Sequence, residues 1–135
     1  MRLILKADPK DLEPLFTSLR HIWETTRDGG KIADFYGTPC GVLRGNGAFV
    51  CLQTQDDVAR FFQSAIDGFC RDGYVRLRHR DFSVQALGRR AALVTLTWQF
   101  FRKQEGAAVE IKQSYSMVHL DNAWKIVLSV IHLAE

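Results

Sequence analysis

The chain changes its hydrophobic rhythm at Gly73. Beyond that residue apolar side chains recur at every second position in long runs, the period of a pleated strand; before it they recur at steps of three and four, the period of a helix. Helices gathered in the front half and strands in the back half describe an α+β domain. Its helices are expected on one face of a sheet whose strands, joined by brief turns, run as an antiparallel meander.

The alternation also predicts that the sheet is bent. In the strand from Tyr74 the apolar residues stand first at Val75 and Leu77, then at Phe82, Val84 and Ala86, so the inward set jumps from odd to even positions. One period-2 strand cannot do this. A bulge near Arg80 or Asp81 restores a single inward face, and because bulges bend sheets, the expected result is a curved sheet that wraps a helix and leaves a hollow. Turns are expected at Gly88-Arg89, Gln104-Glu105-Gly106 and Asp121-Asn122. In the next strand Ala92, Val94, Leu96, Trp98 and Phe100 form one face, and Leu93, Thr95, Thr97, Gln99 and Phe101 the other. In the last, Trp124, Ile126, Leu128 and Val130 are expected on one side and Val127, Ser129 and Ile131 on the other. Both faces are apolar enough to need cover; helices cover one, and a second copy of the chain is the expected cover of part of the other.

In the front half, Leu12, Leu15, Phe16, Leu19, Ile22 and Trp23 mark a first helix, with Asp11 as its cap, Pro14 in its first turn and its end at Asp28-Gly29-Gly30; a start at Asp8-Pro9 would require a kink at Pro14. A short second helix is expected to carry Ile32, Phe35 and Tyr36 on one face and to close at Gly37. Short strands at Gly41–Arg44 and Ala48–Leu52 flank Asn46-Gly47, a tight-hairpin signal. Thr54, with Asp57 three residues on, approximates a capping box for a third helix that buries Val58, Phe61, Phe62, Ala65, Ile66 and Phe69 and closes at Gly73.

A chain of 135 residues, 47% hydrophobic and without repeat or linker, predicts a single domain over residues 1–135. Met1 to Ala7 is too short for a signal-peptide apolar core, and the runs Ala91 to Phe101 and Ile126 to Ala134 fall far short of the roughly 20 residues a bilayer demands. A cytoplasmic location off the membrane is expected. Cys40, Cys51 and Cys70 are odd in number and lack C-x-x-C spacing, which predicts reduced thiols. A net charge of +3 is insufficient to imply nucleic acid. His21, His79, His119 and His132 lack ligand spacing, so no metal or other cofactor is expected. Arg76, Arg78 and Arg80 alternate along one strand, with Arg71, Arg89 and Arg90 nearby and only Asp72 and Asp81 opposing them, and read as a solvated face rather than an anion-binding ridge.

Several strings stand at telling spacings: Ile32-Ala33-Asp34-Phe35-Tyr36, Val84-Gln85-Ala86-Leu87-Gly88 ahead of Ala91-Ala92-Leu93-Val94, Trp98 with Arg102 beyond it, Tyr115, and Trp124-Lys125-Ile126. In an order of two helices, hairpin, helix and four long strands, they resemble the NTF2-like superfamily, the cystatin-like α+β roll, in its SnoaL-like branch. The resemblance spans nearly the whole chain. It implies a cone-shaped roll, with three N-terminal helices packed on a curved, mostly antiparallel sheet, a pocket between them, and homodimerisation through the sheet. It implies no single chemistry, since relatives include ketosteroid isomerases, scytalone dehydratase, epoxide hydrolases, polyketide cyclases and non-catalytic binding or association domains. The isomerase-like members place a general-base carboxylate around the first hairpin. Gly37 to Leu52 holds no Asp or Glu, a departure that argues against steroid-type isomerisation.

Polar residues on apolar rows are the remaining signal, because an unpaired buried polar group costs about 1–3 kcal/mol and therefore usually has a partner or a purpose. Gln113, Tyr115 and His119 share a row with Val109, Ile111 and Met117, and His79 follows Leu77 on its face. Tyr36, Trp98, Gln113 and Tyr115 are the expected substrate-binding lining, with His79 or Asp34 as candidate catalytic acid or base. Ser83, Ser114, Ser116 and Ser129 stand outside any nucleophile elbow and read as structural. Two functions follow: binding of a small, mostly apolar molecule in the pocket, or cofactor-independent isomerisation, dehydration or cyclisation of a cyclic or polyketide-like metabolite. The second requires an acid or base that faces inward.

Overall fold

The computed structural model describes residues 9–104 and 106–133. In chain order these form α1 (Pro9–Glu24), α2 (Gly29–Ala33), β1 (Tyr36–Leu43), β2 (Phe49–Leu52), α3 (Gln55–Arg71), β3 (Tyr74–Ala86), β4 (Ala91–Arg102), β5 (Val109–Leu120) and β6 (Ala123–Ile131). The six strands make one curved sheet in the order β2-β1-β6-β5-β4-β3. Every neighbouring pair is antiparallel except β1 and β6, which run parallel. Among the described residues no helix is long and apolar enough to cross a membrane.

The bend in β3 lies where the phase slip placed it. Pairing with β4 passes from Arg80↔Thr97 to Ser83↔Thr95, three steps on one strand against two on the other, and Asp81 takes a φ of 56°. Aspartate tolerates that left-handed conformation better than most side chains. Besides the shift between Tyr36 and Gly41 where β1 meets β6, two further register shifts were not foreseen. One, between Tyr74 and Arg76, turns Tyr74 against Phe69 and Phe100 and leaves Val75 40% exposed instead of inward. The other lies between β5 and β6, where Met117↔Ile126 is followed by Ser116↔Leu128. Val127 is the extra residue, so the expected face of Trp124, Ile126, Leu128 and Val130 is split: Ile126 and Ser129 are buried inside, and Leu128 and Val130 turn outward.

The helix boundaries also depart from expectation. α1 is already helical at Pro9, which puts Pro14 inside it rather than in a first turn capped by Asp11. Asp28 does not end α1; it caps α2 by accepting the Gly30 N–H at 2.8 Å. Gly29 is buried between α2 and α3, where its N–H donates to Gln63 Oε1 at 2.8 Å. α2 stops at Ala33, and Tyr36 opens β1 instead of closing the helix, with Gly37 inside the strand. α3 follows the sequence pattern: Thr54 and Asp57 form a reciprocal capping box, and Gly73 takes a φ of 87° after the helix.

β3 is an edge strand, and α1 covers it. The Leu77 N–H donates to Glu24 Oε2 at 2.7 Å, and the Leu77 carbonyl accepts from Arg20 at 3.2 Å. Two α1 side chains thus occupy backbone groups that would otherwise template another strand.

Candidate ligand cavity

The helices do not fill the concave side of the sheet. A cavity of about 610 Å³ remains, walled by α1, α2 and α3 on one side and by the sheet on the other. Its helical wall is mostly apolar, with Leu19 and Trp23 from α1, Ile32 from α2 and Phe61, Phe62 and Phe69 from α3.

The sheet contributes a polar cluster. Tyr115 and Ser129 are direct cross-strand partners on β5 and β6, and Gln113 lies two residues back on the same inward row. The Val127 bulge is what turns Ser129 towards them. Gln113 Nε2 donates to Ser129 Oγ at 2.6 Å, and the Ser129 hydroxyl also hydrogen-bonds to Tyr36. Trp98 Nε1 donates to the Tyr115 hydroxyl at 2.7 Å.

Burial, aided by the neighbouring Tyr115, pushes the Tyr36 phenol well above its ordinary range, although the Ser129 bond opposes the shift. Burial likewise raises Tyr115 against the opposing bond from Trp98. Both phenols therefore stay neutral near pH 7 and act as hydrogen-bonding groups rather than bases. An indole N–H can only donate, so Tyr115 accepts from Trp98 and keeps its own hydrogen for a further acceptor.

Tyr36, Trp98, Gln113 and Tyr115 all line this cavity. Tyr36 does so from the buried start of β1, at 2% exposure, rather than from a face of the second helix. His79 and Asp34 lie elsewhere. His79 sits between α1 and β3, its Nε2 2.8 Å from Glu13 Oε2 and its ring edge-on to Trp98 at 5.8 Å. Asp34 is exposed just after α2, where its carbonyl accepts from Lys125 Nζ at 2.6 Å. His119 packs edge-to-face against Trp124, also outside the lining.

Among the described residues the carboxylate that lines the cavity is Asp72, at its exposed rim with Arg44 and Arg71. Sequence reasoning named Arg71 and Asp72 only as neighbours of the β3 arginine row and gave Arg44 no role, because the rim forms only where α3, the β1–β2 hairpin and the strand ends converge. It also set Ser129 aside, although a serine within the apolar run from Ile126 to Ile131 carries the same signal that marked Gln113. The arginine row of β3 is matched by its surroundings. Arg80 pairs with Glu110 at 2.5 Å and with Asp81, Arg78 lies 3.4 Å from Glu24, and Arg76 stacks over Phe101 at 4.7 Å. The Arg80 bond, with help from Gln99, lowers the Glu110 carboxyl to about 2. Among the described residues no three His, Cys, Asp or Glu side chains gather as metal ligands.

Three helices cupped in a bent sheet with a space between them define an NTF2-like protein of the cystatin-like α+β type. The chain belongs to the family described as NTF2-like protein (DUF6841), whose sequence model matches residues 13–134. A domain of unknown function with a cystatin-like fold from Nostoc punctiforme superposes with a TM-score of 0.74 at 16% identity, over 92% of this chain and 75% of that one. The yeast UBP3-associated protein BRE5 superposes at 0.72 with 20% identity, over 93% of this chain and 96% of its own. A provisionally named scytalone dehydratase from Novosphingobium aromaticivorans superposes at 0.67 with 11% identity, over 93% and 83%. At such identities these likenesses establish the fold alone. No curated protein matches the sequence significantly.

Proposed function

We propose that this protein binds a small, mostly apolar molecule between its helices and sheet. The observation that carries the reading is the cavity of about 610 Å³, whose apolar walls surround a hydrogen-bonded cluster of neutral polar groups. Its size lies within the roughly 300–1,000 Å³ of ordinary ligand sites, and a few convergent polar groups in an apolar wall are how such sites orient a ligand. Free Cys40, Cys51 and Cys70 accord with a reducing, cytoplasmic setting. The test is saturable binding of the neutral apolar dye N-phenyl-1-naphthylamine, followed by fluorescence. Ala65→Trp, which places an indole in the cavity wall, is expected to abolish binding while the fold melts as before. Absent or non-saturable binding, or binding indifferent to that substitution, would overturn the reading.

A second reading is a cofactor-independent isomerase, dehydratase or cyclase acting on a cyclic or polyketide-like metabolite. It is supported by the name of the dehydratase-like neighbour and by one carboxylate in the lining. On that reading Asp72, rather than His79 or Asp34, would move the proton. Turnover of a cyclic substrate that disappears in Asp72→Asn with binding retained would favour it.

A further inference from the structure

We propose that the occupant of the cavity is an amphipathic anion, with an apolar ring or short chain in the interior and a carboxylate or other small oxyanion at the rim beside Arg44 and Arg71. This rests on the ligand-binding reading above and names the chemical class. The lining is polarised along its depth: among the described residues its interior polar groups are buried phenols, a hydroxyl and an indole with a part-buried amide, and its charged groups are all exposed at the rim.

Arg44 follows β1 and Arg71 ends α3. Neither forms an ion pair among the described residues, whereas Arg20, Arg60, Arg78 and Arg80 each meet a carboxylate. The Arg44 guanidinium lies 5.8 Å from the centroid of Phe61, a cavity-wall ring, which holds the charge over the opening. Asp72 is the acid that opposes them, one negative group against two positive ones.

The interior can donate hydrogen bonds but holds no charge to neutralise an anion, and burying an unpaired carboxylate is costly. At the rim the same group keeps part of its hydration and meets a planar guanidinium fork that matches its two oxygens. A cationic ligand end meets net repulsion there, and a neutral one gains no ion pair from either arginine.

Two dyes with one skeleton isolate the charge: 8-anilinonaphthalene-1-sulfonate and the neutral N-phenyl-1-naphthylamine. The sulfonate is expected to bind roughly tenfold more tightly at low salt, as one charge-assisted contact implies, and to lose that advantage as salt rises. Arg44→Gln with Arg71→Gln is expected to bring the sulfonate down to the affinity of the neutral dye, whose own binding is unchanged, and Asp72→Asn to strengthen the sulfonate alone. All three side chains are exposed, and each single arginine substitution gives the same comparison at smaller effect should the double variant melt early. Equal affinities, or a sulfonate advantage that survives the arginine substitutions, overturn the anion assignment and leave the binding site standing. Failure of both dyes overturns the two together.

Discussion

Trp98 donates its indole N–H to the Tyr115 hydroxyl across 2.7 Å of buried interior, and the bond joins β4 to β5 at the cavity wall. The Phe16 ring of α1 lies 4.9 Å from Tyr115 and 6.5 Å from Trp98, so the same pair also seats a helix on the sheet. Fold and site meet in these two side chains: each is core by burial, and each presents a polar atom to the cavity wall.

Removing the hydroxyl tests this. Tyr115→Phe keeps the ring but strands a buried indole N–H, so the folded state should lose about 1–3 kcal/mol. Urea unfolding measures the loss. The double variant with Trp98→Phe should cost less than the two single costs added, because the stranded donor is then gone. Full additivity would mean that the bond contributes nothing.

The fold was legible where local rules act alone. Thr54 and Asp57 cap α3 through atoms three residues apart, and the phase slip in β3 is written in consecutive residues. Tyr36 and Ser129 show where legibility ends. Tyr36 continues the apolar stripe of α2 and would serve a helix there, yet β6 recruits it: Tyr36 pairs with Ile126 in a parallel ladder, and a contact 90 residues away outweighs the local pattern. The Val127 bulge sits in a continuous apolar run, where a shift of one residue leaves the sequence looking the same on both faces. The site was therefore legible for Gln113 and Tyr115, whose row alternates cleanly, and illegible for the rim, where Arg44, Arg71 and Asp72 come from segments that only the tertiary fold brings together.

Gly29 carries a prediction of its own. A Cβ built there would lie 2.6 Å from the Gln63 backbone nitrogen, and closer still to the Ala59 carbonyl oxygen, so relief requires α2 and α3 to separate. Gly29→Ala should destabilise the fold by about 1–3 kcal/mol through overpacking, against the usual helix preference for alanine. Gly30→Ala, which meets only the Asp28 side chain at 3.1 Å, is the control and should cost less.

The buried phenols predict an alkaline limit. Burial raises Tyr36 and Tyr115 in the folded state, so the native protein holds protons that the unfolded chain releases near pH 10. That contribution is complete below about pH 10 and is lost as pH rises towards the folded values, so stability should fall with added base. The tyrosinate absorbance of these two residues should appear together with loss of the far-ultraviolet circular dichroism. Tyr36→Phe and Tyr115→Phe should each flatten the alkaline limb. Ionisation of both phenols with the fold intact would contradict the burial argument.

The outer face of the sheet supports a prediction about assembly. All three helices lie on the concave side, while outward-facing Leu93, Phe101, Leu128 and Val130 stay only half-buried and Phe49 is 58% exposed. Apolar side chains left open on the outer face of a sheet mark an interaction site, and two copies meeting face to face about a two-fold axis cover them with the fewest distinct contacts. Sedimentation equilibrium should give the mass of two chains. Leu128→Arg, placed on β6 near the centre of that face, should return the mass of one chain without loss of helix or strand signal, because the new side chain points away from the core. A single-chain mass for the natural sequence at micromolar concentration would leave this apolar face to a different partner.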